Sequence, residues 1–253
     1  KEAITSLGYN ISNLSYYKRK FGIETHPYGN APFTARMKRK YSVDDAFFKT
    51  PNLLNCYYAG FIAADGNINR ERKLLSIGLS VKDENWLKTF QNDIRYNGKI
   101  CQTIIRNEFK ISCLAIRSQS ICNDLLYNFN ITPRKSLTLQ PPKLEEEKLI
   151  NSFICGYIDG DGSIIRYKNR HDYDTLKITL IGTLEMCSWI KRQLSKYVGD
   201  KGCIIHKPDS INNTYILSYS TKSARTIFEK LYSLDVPKLK RKWSEDAHRF
   251  CKT

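Results

Sequence analysis

Residues 153–164 read FICGYIDGDGSI, and residues 57–68 read YYAGFIAADGNI. Both follow one pattern, aromatic-x-x-Gly-aromatic-Ile-x-x-Asp-Gly-x-Ile. Gly60 therefore aligns with Gly156, Asp65 with Asp161 and Gly66 with Gly162. Glycine inside a helix costs roughly 1 kcal/mol relative to alanine, and a buried aspartate without a partner costs more. An isolated core helix has no use for either, so each glycine and acid needs a specific reason. The recurrence itself indicates a chain built from two copies of one unit.

The order of elements around each stretch supports the duplication. An apolar helix over 53–65 is followed by strand-like segments at 67–73 and 74–82, with Leu75, Ile77, Leu79 and Val81 in alternation. The helix ENWLKTFQNDI, the strands KICQTIIRN and EFKISCLAIRS, the helix SICNDLLYNF and the basic turn ITPRKS complete the first unit. The second runs from a helix over 150–161 through SIIRYK, TLKITLIG, EMCSWIKRQLSKYV, GCIIHKP, TYILSYS and SARTIFEKL to the basic turn VPKLKRKW. Each unit reads αββαββα, an α+β arrangement with helices on one face of an antiparallel sheet. The first repeat spans 53–142 and the second 143–253, joined at Pro141-Pro142 and the charged run Lys143–Lys148.

Two further segments precede the repeats. Residues 1–23 suit two short helices broken around Gly8-Tyr9-Asn10, the second ending in Lys18-Arg19-Lys20. This small helical extension resembles a helix-turn-helix DNA reader; a basic helical hairpin packed on the body is the alternative. Residues 24–52 hold Pro27, Gly29, Pro32, Pro51 and the run Arg36–Lys40 without sustained periodicity, so an extended basic linker is expected.

A formal charge of +16 favours a polyanionic partner, and the lack of an 18-residue apolar span disfavours a membrane. Nucleic acid is the expected partner. The eight cysteines form no CxxC pair, which argues against zinc knuckles. Their mostly apolar contexts read as small core residues of an intracellular, reducing compartment, with no secretory signal.

Glycine resolves the opening puzzle if the two motif helices pack against each other, because it lets two helix backbones approach closely. Asp65 and Asp161 would then emerge side by side at the base of the seam, with Gly66 and Gly162 ending the helices. Adjacent carboxylates repel, so the arrangement makes sense when divalent cations sit between them. Close metals can clamp a phosphodiester for hydrolysis.

YYAGFIAADG and ICGYIDGDG resemble the two signature motifs of the LAGLIDADG homing endonucleases in their single-chain, two-repeat form. The similarity covers about residues 53–250. An N-terminal DNA-binding segment followed by the SVDDAFF lead-in (42–48) is also similar to some bacterial and phage members. The resemblance implies a saddle of antiparallel sheets straddling the major groove of a long duplex. It also implies Mg2+-dependent cleavage across the minor groove, leaving short 3′ overhangs; Mn2+ or Ca2+ can take the same sites, Ca2+ without cleavage. It assigns catalysis and metal binding to Asp65 and Asp161, and further metal contacts to the backbone carbonyls of Ala64 and Gly160. The sixth motif position is Asp159 in the second copy but Ala63 in the first, which points to a structural or supporting carboxylate. The basic residue near each scissile phosphate falls on Lys135 and Lys242, with Arg134 and Lys240 near-equal candidates.

Strand alternation nominates the DNA-facing residues. In the first repeat these are Asn67, Asn69, Lys73, Ser76, Ser80 and Lys82. In the second they are Ser163, Ile165, Tyr167, Lys177 and Thr179, with Ile165 available to a thymine methyl. Arg106, Arg117 and Lys207 on the outer strands and Lys18, Arg19 and Lys20 of the extension complete the set. The copies differ at most of these positions, so a monomer acting on a non-palindromic double-stranded target is expected. An intron maturase, with intron RNA as partner, and a catalytically silent DNA-binding regulator are the alternatives; juxtaposed acids disfavour the latter.

Overall fold

Two sheets of four antiparallel strands repeat one strand order, first-second-fourth-third within each repeat. The computed structural model of the chain describes residues 40–105, 108–168, 174–207 and 214–244. The first repeat comprises α1 (Leu53–Asp65), β1 (Asn67–Asn69), β2 (Leu74–Ser80), α2 (Glu84–Asp93), β3 (Cys101–Ile105), β4 (Phe109–Arg117) and α3 (Gln119–Phe129). The second comprises α4 (Glu147–Asp161), β5 (Gly162–Lys168), β6 (Asp174–Gly182), α5 (Leu184–Val198), β7 (Cys203–His206), β8 (Tyr215–Ser220) and α6 (Thr221–Tyr232). The αββαββα order read from the sequence is therefore the observed one.

Local chemistry sets the helix starts. Asn52 and Asn55 cap α1 reciprocally: Asn55 N donates to Asn52 Oδ1 (3.0 Å) and Asn52 N to Asn55 Oδ1 (2.8 Å). Ser118 Oγ accepts from Ile121 N at the start of α3, and Thr183 Oγ1 from Met186 N at the start of α5. Asn130 ends α3 in the left-handed region (φ 54°), where its amide reaches the Leu125 and Leu126 carbonyls.

Each sheet buries one face. Leu75, Ile77, Leu79, Leu114 and Ile116 turn toward Trp86, Leu87 and Phe90 of α2 and Ile121, Leu125 and Phe129 of α3. Leu176, Ile178, Leu180 and Leu217 do the same toward Met186, Trp189 and Ile190 of α5 and Ile227, Phe228 and Leu231 of α6. In contrast, α1 and α4 are buried on every side over residues 55–63 and 150–159, since they cross between the two halves. That is why neither shows an amphipathic stripe.

Several boundaries differ from the sequence reading. The chain divides after Lys40, and residues from Tyr41 onward form one compact unit. Part of the expected linker is packed on the first repeat. Phe48 is fully buried, Asn55 Nδ2 donates to the carbonyls of Phe47 (2.7 Å) and Thr50 (2.8 Å), and Ser118 Oγ donates to Asp45. Val81 and Lys82 leave β2 for a 3-10 turn over Val81–Asp83, because Ser80 Oγ accepts from Lys82 N. Lys73 occupies a left-handed turn position (φ 53°) ahead of β2. Residues 1–39, including Lys18, Arg19 and Lys20, lie outside the described residues, as does Arg106. No helix among the described residues is long and apolar enough to cross a membrane.

Candidate active site

Helices α1 and α4 meet backbone to backbone. A β-carbon on Gly60 would lie 1.9 Å from the Phe153 carbonyl oxygen, and one on Gly156 would lie 1.9 Å from that of Tyr57. Phe153 and Tyr57 occupy the same motif position, so the contact is reciprocal. One turn further on, a β-carbon on Gly160 would stand 2.3 Å from Ala64 Cβ. The seam is thus still tight at the residue before each aspartate. Asp65 and Asp161 emerge there together, lining one cleft of about 470 Å3 with Lys135, Arg134, Asn67 and Tyr157.

Gly66 and Gly162 end the two helices, as expected, each with its backbone N–H on a last-turn carbonyl, that of Ile62 or Ile158. Both are extended (φ −76° and −100°) rather than left-handed. A side chain there would strike the last turn of its own helix, at 2.8 Å from the Ile62 carbonyl oxygen and 2.6 Å from that of Ile158. Glycine supplies room for the chain to turn directly into β1 and β5.

Both carboxylates open to the surface on the cleft side. Even so, surrounding protein strips enough water to raise Asp65 above the usual carboxylate range, against the pull of Lys242, Lys135 and Arg241. Asp161 is pushed up to about 6, first by burial and then by the charge of Asp65, against Lys135, Lys242 and Lys207. Lys135 is lowered by burial, and the opposing pull comes first from Asp161 of the other repeat and then from Asp65. The lysine of one copy is thereby coupled electrostatically to the acid of the other.

Within the two basic turns, Lys135 and Lys242 turn inward, each with 7% of its surface exposed, while Arg134, Lys240 and Arg241 stay outside. Lys135 Nζ donates to the Ala64 carbonyl (2.8 Å), at the end of α1. Lys242 Nζ faces the carbonyls of Asp159 (2.6 Å), Ile158 (2.8 Å), Gly162 (2.8 Å) and Gly160 (3.3 Å), at the end of α4. Each ammonium complements a helix C-terminus, where unpaired carbonyls carry partial negative charge. Burial lowers Lys242 to about 8 despite the charge of Asp159. Asp159 itself is fully buried and does not line the cleft, whereas its aligned partner Ala63 does.

The donor set fits a hard divalent cation only in part. Two carboxylates of like charge at one point favour it, since a cation relieves their repulsion. Among the described residues, no group of three or more Asp, Glu, His or Cys side chains converges. A cation here would therefore draw its remaining ligands from oxygens such as the Ala64 and Gly160 carbonyls, water or phosphate. Both carbonyls already accept from lysine, yet a carbonyl oxygen has a second lone pair.

Asn67, Asn69, Ser76, Ser80 and Arg117 share the face of the first sheet opposite its core row. Ser163, Ile165, Tyr167, Lys177 and Thr179 share the corresponding face of the second, where Ser163 and Thr179 hydrogen-bond to each other. Lys207 follows β7 and is exposed. Lys73 and Lys82 lie beyond the strand, as described above, and so outside this alternation. The same faces carry residues the sequence reading passed over. Cys101 and Cys113 are paired across β3 and β4, and Ile205 and Ile216 across β7 and β8. Cys101 and Cys203 are exposed, so the cysteines are not uniformly core residues; Cys56, Cys122, Cys155 and Cys187 are. The alternation in YILSYS, with Leu217 and Tyr219 buried, was the signal that marks Ile216 and Ser218 as surface residues.

No family model and no curated protein sequence matches the chain. Its structure is similar to that of the I-LtrWI LAGLIDADG homing endonuclease bound to target DNA, at 11% identity and TM-score 0.55, over 80% of this chain and 91% of that one. It is also similar to meganuclease I-SmaMI bound to uncleaveable DNA (14%, TM-score 0.53, 79% and 89%) and to the LAGLIDADG homing endonuclease I-GzeII in complex with a DNA target (14%, TM-score 0.52, 79% and 90%). The chain carries the two-repeat saddle fold of the LAGLIDADG homing endonucleases.

Proposed function

We propose that the protein is a site-specific double-strand DNA endonuclease that hydrolyses phosphodiesters with the help of Mg2+ and leaves short 3′ overhangs on a long, non-palindromic target. The observation that carries this reading is the convergence of Asp65 and Asp161, from separate repeats, in one cleft lined by Lys135. A protein that only bound DNA would gain nothing from two adjacent acids, of which Asp161 is raised first by burial and then by the charge of Asp65. A single chain supplies both, so the reading is of an enzyme that works as a monomer.

Asp65 and Asp161 would hold the cation, with Ala64 and Gly160 carbonyls adding ligands. A bound divalent ion there supplies Lewis-acid stabilisation of negative charge on the phosphate. The chain's own groups do the rest. Lys135 places a positive charge beside the position where charge accumulates on the phosphate oxygens. The two glycine contacts bring the acids close, because a β-carbon at Gly60 or Gly156 would force the helices apart. The polar faces of the two sheets present different side chains to the major groove, which matches an asymmetric site.

Incubating the protein with Mg2+ and a randomised duplex library, then sequencing the ends produced, tests the reading. Recovery of one asymmetric cut site is expected. Specific binding without cleavage of any member would overturn it.

A further inference from the structure

The two halves of the cleft are not built alike. Asp159 Oδ2 accepts from Tyr57 Oη (2.6 Å) and Leu239 N (3.0 Å), and Oδ1 accepts from Trp243 Nε1 (2.7 Å). Leu239 and Trp243 are the two ends of one turn, closed by Lys242 N and Trp243 N on the Leu239 carbonyl at 2.8 and 3.1 Å. One buried carboxylate therefore pins both ends of the turn that carries Lys242. Trp243 is further fixed by stacking on Phe228 of α6, ring centroids 5.1 Å apart. Tyr57 belongs to the first repeat and accepts from Trp86 Nε1 (2.7 Å), so the seat of Lys242 is braced across the seam.

With its backbone held, Lys242 directs its ammonium group at the close carbonyls of Ile158, Asp159 and Gly162, with that of Gly160 further off at 3.3 Å. Among the described residues, the first repeat has no counterpart to this clasp. Ala63 stands where Asp159 would be, and among the described residues Lys135 Nζ donates to one carbonyl, that of Ala64. Its turn is shaped instead by Arg134 in the left-handed region and a 3-10 turn over Lys135–Leu137.

We infer that Asp159 is a positioning residue for Lys242, acting through Leu239 and Trp243, so that cleavage of one DNA strand depends on it and cleavage of the other does not. The inference rests on the nuclease reading and sharpens it. An exposed or purely stabilising carboxylate would affect both strands together, because both acids share one seam. A clasp confined to the second repeat acts on the end of α4, where Lys242 Nζ faces the carbonyls of Gly160 and Gly162 on either side of Asp161.

The test is a strand-resolved cleavage assay on a duplex that the parent protein cuts, each strand end-labelled, with enzyme in excess and Mg2+ present. In Asp159→Asn, the amide nitrogen faces at least one donor that the carboxylate oxygen accepted. Cutting of one strand is expected to slow on the order of 100-fold, the effect of a small misplacement of a reacting group. The other strand is cut at nearly the parent rate, and nicked duplex accumulates. Trp243→Phe keeps the ring and deletes the indole N–H, and it should slow the same strand to a smaller extent. It also decides the matter if Asp159→Asn does not fold, which melting temperature reports. Equal slowing of both strands, or of neither, in a folded variant overturns the positioning role while the nuclease reading stands. A parent protein that cuts neither strand removes both.

Discussion

Gly60 and Phe153 are in such close contact that a β-carbon on Gly60 would lie 1.9 Å from the Phe153 carbonyl oxygen. Backbone cannot rotate away as a side chain can, so Gly60→Ala must separate α1 from α4 or distort them. Overpacking of a core costs about 1–3 kcal/mol, and this variant is expected at or beyond the upper end. Gly78→Ala is the control: its β-carbon would meet Cys113 Sγ at 3.5 Å and Ile111 Cδ1 at 3.6 Å, ordinary contacts. It should change stability by no more than about 0.5 kcal/mol, as for an uncomplicated surface substitution. Urea unfolding midpoints of the two variants measure the difference.

Much of this seam was legible in the sequence because the relevant residues sit within twin segments. Gly60 and Gly156 align, and close approach is the one thing a helical glycine supplies that alanine cannot. The strand order was legible for a related reason: rows such as Leu75-Ile77-Leu79 alternate with period two. What alternation could not reveal was where a strand stops. Val81 continues the apolar row, but Ser80 caps a turn and takes Val81 and Lys82 out of it. That Gly66 ends its helix was legible, but not the reason for a glycine there: the backbone is extended, and the need is for space beside Ile62. The partners of Asp159 were hidden most thoroughly. Tyr57 and Trp243 lie 102 and 84 residues away in the chain, and no local pattern connects them.

Trp86, Tyr57 and Asp159 form a buried relay that joins the repeats, so removing its central hydroxyl tests its worth. Tyr57→Phe leaves the Trp86 N–H without its acceptor and takes one of three donors from Asp159. A buried polar group left unsatisfied costs about 1–3 kcal/mol. Tyr57→Phe is expected to lose that much, and Trp86→Phe should then cost less in the Tyr57→Phe background than in the parent. A double-mutant cycle in urea reads the coupling; strictly additive losses would show that the relay is not a unit.

Asp161 gives the fold a pH dependence of opposite sign to that of a salt-bridged acid. Burial, followed by the charge of Asp65, holds it up to about 6, against about 3.9 for an unfolded aspartate. Between those values the folded chain binds the proton more tightly. The stabilisation from this group is therefore present at low pH and lost as pH rises through about 6. Asp161→Asn removes the loss. With a chelator present, the variant should be more stable than the parent near neutral pH, with the gap narrowing toward about pH 4. Thermal unfolding across that window checks the sign. The same variant should bind target DNA in Ca2+ but fail to cut it in Mg2+, since stability and catalysis make opposite demands on this carboxylate.

Truncation tests the basic N-terminal stretch apart from the compact unit that begins at Tyr41. Residues 1–40 include Lys18-Arg19-Lys20 and Arg36–Lys40, and the compact unit begins at Tyr41. Removing 1–40 should leave the melting temperature of the remainder nearly unchanged. Removing 1–50 should lower it, because that cut also deletes the fully buried Phe48 and the Phe47 and Thr50 carbonyls that Asn55 Nδ2 bonds. If the basic runs contact phosphate, loss of 1–40 lowers the slope of log affinity against log salt by about 0.9 for each contact removed. Binding titrations at several salt concentrations measure that slope. A slope identical to that of the full chain would mean that residues 1–40 contribute no phosphate contacts, leaving the sheet faces to supply the electrostatic attraction alone.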